Sequence, residues 1–354
     1  MKKQFLYIFS FLLVGCSVSE KQNTYDFSHN DFSYSKALKG EKIELEEMIN
    51  PDNIFVVYDS LIIASNEDPA QRDKVQLFSL LTGKRISSFG AKGHASNELV
   101  SCSLFIQSSS SDYFFVDDIA QSKYWVCSVD SFKNGRNPIC KSFNYSRDVI
   151  SLLPEDTTYI GFNFWYLNSK EYNNGIDHAI DRYLMESKNE RNRSTKYGFF
   201  VANVSGAVIV KNPNNGDVWV AYNHENLIEI YDKSLELKLR MIGPEKAHSK
   251  YVVERIKNKD YLSYGRSHFM DCFYAAVATD SHVYLLYRNI NNVAFPTKPE
   301  PVEIFKIDWN GQLVCNYQLD QYAYCISVDS KEENLYAACV NSDTGDTELV
   351  KYQL

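Results

Sequence analysis

Short apolar runs, each opened by a polar turn residue, recur along this chain. They start at Asp59-Ser60-Leu61-Ile62-Ile63, Asp112-Tyr113-Phe114-Phe115-Val116 and Thr158-Tyr159-Ile160-Gly161-Phe162. Three more start at Asp217-Val218-Trp219-Val220-Ala221, Asp280-Ser281-His282-Val283-Tyr284 and Asn334-Leu335-Tyr336-Ala337-Ala338. The six starts are nearly evenly spaced. Aromatic and β-branched residues favour strands, and a unit of roughly 50 residues repeated in series is the period of a propeller blade. The pattern predicts an all-β chain, a six-bladed β-propeller of four-stranded antiparallel blades.

Three units show the next strand pair. Val75–Leu80 turns at Leu81-Thr82-Gly83 and returns over Lys84–Phe89; Leu227–Tyr231 turns at Asp232-Lys233-Ser234 and returns from Leu235 to Ile242; Pro301–Ile307 turns at Asp308-Trp309-Asn310-Gly311 and returns through Val314. Each is a period-two run, a turn cluster and a second period-two run, which is a hairpin signal. The last unit has room after Asn334 for only Leu335–Val340 and Glu348–Gln353. Open sheet edges invite unwanted pairing, so the N-terminal stretches Lys42–Leu45 and Ile54–Val57 are expected to complete that blade and close the ring. Two segments read as helical. Ile176, Ala179, Ile180, Tyr183 and Leu184 follow a helical spacing, which predicts an insertion near 175–193, and Lys246–Ile256 reads as a second short helix.

The N-terminal stretch Met1–Cys16 has another pattern. Lys2 and Lys3 precede the apolar run Phe5–Val14, and Gly15 stands before Cys16. A basic start, a short apolar stretch and a small residue mark a secretory signal. That stretch is too short for the roughly 20 residues a membrane-crossing helix needs. Leu13-Val14-Gly15-Cys16 resembles a bacterial lipobox, which implies cleavage after residue 15 and a lipid on Cys16. More than one acyl chain is needed for stable anchoring. The domain reading is therefore a signal over 1–15, a lipidated cysteine and flexible polar tether over 16–40, and the propeller over 41–354. Ser17 is not the Asp that would retain the protein at the inner membrane, and no acidic run follows Cys16. The expected location is the cell envelope, on the periplasmic side of the outer membrane.

Removing residues 1–15 from 354 leaves 339 and takes two lysines away, so the formal charge falls from −8 to −10. An acidic surface argues against nucleic acid or anionic headgroups as partners, and no dinucleotide cofactor is expected. Seven cysteines remain besides Cys16: Cys102, Cys127, Cys140, Cys272, Cys315, Cys325 and Cys339. An odd number cannot pair completely within the chain. Cys127 and Cys140 are spaced to meet across a hairpin, but small buried thiols inside strands are the better reading.

The seven histidines form no HxH or HExxH pattern and no G-x-S-x-G occurs. His224-Glu225 is expected on a hairpin turn, and Asp117-Asp118 on a blade turn. Phe164, Trp165 and Tyr166 are the candidate binding residues, since aromatic faces stack on sugar rings and anchor protein interfaces. Packing of an extra strand explains the same residues.

Phe89-Gly90-Ala91-Lys92-Gly93-His94-Ala95-Ser96-Asn97-Glu98-Leu99 resembles a phrase of the TolB-like six-bladed β-propeller lipoproteins of Bacteroidota. Gly93 and Glu98 fit that phrase; Ala95-Ser96 stands where Gly-Pro is usual, and Leu99 replaces Phe. Arg240-Met241-Ile242-Gly243-Pro244 is similar to a later phrase. The resemblance implies the fold over nearly the whole mature chain and no defined reaction. The expected function is a binding or scaffold module for an envelope protein, peptide or glycan, without a cofactor. The alternative is a hydrolase like the sugar-lactone hydrolases, whose divalent metal would imply oxygen ligands suited to calcium. The candidates for that role are Asp117, Asp118, Asn163, Asn223 and Asp329.

Overall fold

A computed structural model describes residues 23–48, 50–66, 71–95, 97–106, 109–145, 149–155, 158–163, 180–184, 206–245, 251–256, 259–264, 270–291 and 300–354. Three short strands come first: β1 (Thr24–Asp26), β2 (Tyr34–Leu38) and β3 (Glu41–Ile43). Blade 1 is β4 (Pro51–Val57), β5 (Leu61–Asn66), β6 (Asp73–Ser79) and β7 (Arg85–Ala91). Blade 2 is β8 (Ser103–Phe105), β9 (Tyr113–Asp118), β10 (Lys123–Ser128) and β11 (Ile139–Asn144), with the short helix α1 (Val129–Lys133) before its last strand. Blade 3 shows β12 (Val149–Pro154), β13 (Thr158–Asn163) and β14 (Ile180–Leu184) among the described residues. Blade 4 is β15 (Ala207–Lys211), β16 (Val218–Tyr222), β17 (Leu227–Tyr231) and β18 (Leu237–Ile242), followed by the hairpin β19 (Tyr251–Ile256) and β20 (Lys259–Tyr264). Blade 5 is β21 (Met270–Ala278), β22 (His282–Asn291), β23 (Glu303–Asp308) and β24 (Leu313–Leu319). Blade 6 is β25 (Tyr322–Val328), β26 (Asn334–Val340) and β27 (Thr347–Gln353).

The predicted repeats mark the second strand of each blade, β5, β9, β13, β16, β22 and β26. A blade is covered on both faces by its neighbours, so its middle strands read as continuous apolar runs rather than alternations. All six residues of β5 and all five of β16 are buried, whereas the outer strand β7 is largely open to solvent. The core is divided the same way. Six apolar clusters each fill one gap between consecutive blades, from Leu77 against Trp125 between blades 1 and 2 round to Ile54 against Ala338 between blades 1 and 6. The first strands form the inner ring: β25 touches β4, β4 touches β8, β12 touches β15, β15 touches β21, and β21 touches β25.

β3 closes the ring by pairing antiparallel with β27, Ile43 opposite Leu349 and Glu41 opposite Lys351. The expected closure by Lys42–Leu45 is therefore realised. Ile54–Val57, by contrast, belongs to blade 1's own inner strand, and β25 supplies the inner strand of blade 6.

The tether expected over 16–40 needs correction from Thr24 onward. β1 pairs in parallel with β18, and β2 with β24, so the N-terminal segment straps blades 4, 5 and 6 in turn. Its polar composition hid two anchors. Phe27 and Phe32 are buried against Phe305, with ring centroids at 6.3 and 4.9 Å. Both expected helices are corrected where they are described. Ile180–Leu184 is a strand paired with β13, and Tyr251–Ile256 pairs with β20. Short apolar runs are ambiguous between the two periods, and an available strand partner decides. The rest of the 175–193 segment lies outside the described residues.

Cys102, Cys127, Cys272, Cys315, Cys325 and Cys339 are buried and outside any disulfide, as is the exposed Cys140. Cys127 sits opposite Ile139 at a bulge, out of register with Cys140.

Candidate binding site at the channel mouth

The first strand of every blade runs from one face of the ring, here the top, to the other. Ends of second strands and starts of third strands also gather at the top. Asp117, Asn163 and Asn223 lie there, at the ends of β9 and β13 and just after β16. Asp329 follows β25 on the bottom face. The five candidate ligands, counting Asp118 beside Asp117, are thus not drawn to one place. Phe164, Trp165 and Tyr166 lie outside the described residues.

Asp118, Asp329, Asn223 and Asp117 each have a structural task. Asp118 ties the approach to blade 2: its carboxylate accepts from the backbone N–H of Val100 at 2.8 Å, of Ser101 at 3.2 Å and from Gln121 Nε2 at 2.7 Å. Asp329 fixes the turn into β26, accepting from the N–H of Glu333 at 2.9 Å and from Asn334 Nδ2 at 2.6 Å. Asn223 links blades 4 and 5, because the N–H of Cys272 donates to its carbonyl at 2.6 Å. Asp117 is different. It accepts from Tyr145 Oη at 2.7 Å in the aromatic gap between blades 2 and 3. Burial pushes its pKa up to about 7, the Tyr145 bond opposes that, and the neighbouring Asp118 charge adds to it. Among the described residues no group of three or more His, Cys, Asp or Glu side chains converges as a metal site would require.

The top of blades 4, 5 and 6 brings together a set that the sequence did not announce. The Arg288 guanidinium on β22 lies 3.5 Å from the ring centre of Tyr274 on β21 and 4.8 Å from that of Tyr322 at the head of β25. Tyr274 is 40% exposed, on a bulge of the inner strand between Phe273 and Ala275. Beside them, on the same face, His224 Nδ1 stands 3.5 Å from Asp271 Oδ1, both nearly buried. One signal existed: Arg288 ends the apolar run Val283–Tyr287, where a charge must leave the core. Tyr274 and Tyr322 carry no such signal, because inner strands lack a turn residue at a distinctive offset.

The bottom face carries inter-blade ties. Glu332 of blade 6 reaches blade 5 and meets Thr279 Oγ1 at 2.5 Å, His282 Nδ1 at 2.6 Å, and Tyr284 Oη and Lys306 Nζ at 2.9 Å each. Asp59 of blade 1 accepts from the N–H of Ser330 at 2.7 Å. Within blade 4, on the side that faces blade 3, the fully buried Glu229 accepts from Arg240 Nε at 2.6 Å, Tyr222 Oη at 2.7 Å and Tyr231 Oη at 2.5 Å.

The two family-like phrases are also structural. In the first, Glu98 accepts from the N–H of Ala95 at 2.9 Å, and a Cβ on Gly93 would meet the Glu98 carboxylate at 1.9 Å. This compact loop delivers Leu99, fully buried, into the gap between blades 1 and 2. In the second, Gly243 lies under the strap at Phe27, whose N–H donates to the Ile242 carbonyl at 2.8 Å.

Fold and site together define a six-bladed propeller with an aromatic–cationic channel mouth. The chain belongs to the TolB-like 6-blade propeller-like family, whose model matches residues 26–331. A member of the DUF4221 family from Bacteroides vulgatus is similar in structure, with a TM-score of 0.57 at 10% identity over 89% of this chain and 97% of that one. Streptogramin B lyase (TM-score 0.44, 11% identity, 90% of this chain and 98% of that one) and the WD40 repeats of RRP9 (0.45, 11%, 89% and 97%) are more distant. These likenesses concern the fold alone. No curated protein matches the chain.

Proposed function

We propose that this protein is a lipid-anchored envelope module that binds a protein, peptide or glycan partner at its top channel mouth. The observation that carries the reading is the Arg288 guanidinium lying over the rings of Tyr274 and Tyr322 beside the inner ring. Arg and Tyr are among the residues most enriched at binding hot spots, and Tyr274 keeps 40% of its surface open to solvent. The ring is rigid, its six gaps filled by apolar side chains, so the mouth is presented in a fixed shape.

The anchor in this reading is the lipid on Cys16. Pairing starts at Thr24 beside Arg240, eight residues later. Eight extended residues reach at most about 28 Å, so the ring would lie close to the periplasmic side of the outer membrane. Replacing Cys16 with Ala and fractionating cells tests the anchor: release of the protein supports it, and retention on the membrane removes it. Capture from envelope extracts, comparing the wild type with a Tyr274→Ala/Tyr322→Ala variant, tests the mouth. A partner retained equally by both would place binding elsewhere.

A further inference from the structure

We infer that Arg288 is the seat for a carboxylate on the ligand that enters the channel mouth. The inference rests on the binding reading above and adds the chemistry of the ligand.

A guanidinium donates hydrogen bonds only in its own plane, and its faces are the surfaces that stack on aromatic rings. Tyr274 at 3.5 Å and Tyr322 at 4.8 Å take up stacking contacts and hold the group in place. That leaves its N–H edge to hydrogen-bond. The Nε–H of Arg288 is buried without a protein acceptor among the described residues, so a ligand would reach the group at its terminal nitrogens. Other arginines are spent on carboxylates: Arg85 on Glu47 at 2.9 Å, Arg136 on Asp130 at 2.8 Å and Arg240 on Glu229 at 2.6 Å. Arg288 has no such ion pair among the described residues. The acid on its own face, Asp271, faces His224 instead.

A planar edge of parallel N–H donors matches the two oxygens of a carboxylate, as it does those of a phosphate. The charge around the site chooses among anions. Burial first, and then the charges of Asp271, Glu225 and Glu245, raise the pKa of Cys272, the neighbour of Asp271 on β21. A doubly charged phosphate or sulfate would meet those acids with only one arginine in its favour. A singly charged carboxylate suits the balance better.

Two matched pairs of probes test this on the full mature chain by isothermal titration: D-galacturonate against D-galactose, and N-acetylalanine against N-acetylalanine amide. The first pair stands for a sugar acid and the second for a peptide terminus. At least one acid is expected to bind about tenfold tighter than its neutral partner, the effect of one charge-assisted pair. Arg288→Gln should abolish that preference, and Arg288→Lys, which keeps the charge without the fork, should weaken it. Melting temperatures report whether each variant folds, and the Lys variant serves if the Gln variant does not. Equal binding of acid and neutral probes, no binding of either acid, or a preference that survives both substitutions overturns the inference. A neutral probe that binds without acid preference and is lost in Tyr274→Ala would overturn the carboxylate while leaving the mouth as a binding site.

Discussion

Gly243 has no side chain where the strap crosses blade 4: a Cβ there would lie 2.1 Å from the carbonyl oxygen of Phe27. The contact joins a turn at the end of β18 to a segment that precedes blade 1 in the chain. Gly243→Ala should push the strap off and expose Phe27 and Phe32. A backbone clash of this kind is expected to cost about 2–4 kcal/mol, and chemical denaturation would measure it. A variant as stable as the wild type would mean that the strap is not held at this point.

The strap itself yields a second expectation. Deleting residues 1–22 removes no described strand and leaves the Asn23 carbonyl that accepts from the Arg240 N–H at 2.9 Å, so the melting temperature should be unchanged. Deleting 1–33 removes β1 together with Phe27 and Phe32, each worth roughly 1.5–3 kcal/mol of burial. The longer deletion should melt several degrees lower and be cleaved faster by protease. Equal melting of the two truncations would reduce the strap to a passive tail.

Glu332 predicts an acid dependence. Burial acts to raise its pKa, but the bonds from Thr279, Lys306 and Tyr284 outweigh it and hold the carboxyl below its ordinary value. A depressed carboxyl stabilises the fold fully above its unfolded pKa, about 4.3 for Glu, and loses that contribution as pH falls through the folded value. Glu332→Gln should therefore cost about 1–3 kcal/mol at pH 7, and the deficit should shrink below about pH 4. Urea titrations at several pH values would show it. A deficit independent of pH would contradict the electrostatic origin.

Asp117 has the opposite sign. Its pKa of about 7 lies above that of an unfolded aspartate, so the native state holds a proton that the unfolded state has released. Stability from this group falls as pH rises from about 4 to about 7. Asp117→Asn keeps the shape and removes the titration. At pH 8 it should be more stable than the wild type by at least about 1 kcal/mol, given 1.4 kcal/mol per pKa unit. At pH 4 the two should be similar. A variant that is less stable at pH 8 would show that the charged form is welcome in that gap.

The physics of a propeller decides which parts were legible from sequence. Second strands such as Val218–Tyr222 are buried on both faces, so they appear as apolar runs that no loop imitates. The three predicted hairpins fell in place for the related reason that Gly83, Asp232 and Gly311 mark tight turns, Gly83 and Gly311 at positive φ. Inner strands were harder. Tyr322–Val328 carries no turn residue at a distinctive offset, and its identity comes from contacts with β4, close to the other end of the chain. The strap is not legible in the sequence because two phenylalanines in a polar segment are too few to outweigh composition. The mouth was hidden for the same reason as the inner strands: Tyr274, Arg288 and Tyr322 belong to three strands and become neighbours only when blades 5 and 6 close on each other.

The account centres on the top of the ring, and a photo-crosslinking amino acid placed by position tests that most directly. One protein would carry it in place of Tyr274 at the mouth, and a second in place of Leu81, 90% exposed on the opposite face. Irradiated in intact cells, the probe at 274 should give a discrete adduct that disappears when Arg288 is replaced by Gln, while the probe at 81 gives none. Adducts at 81 alone, or equally at both positions, would contradict the assignment of function to the channel mouth.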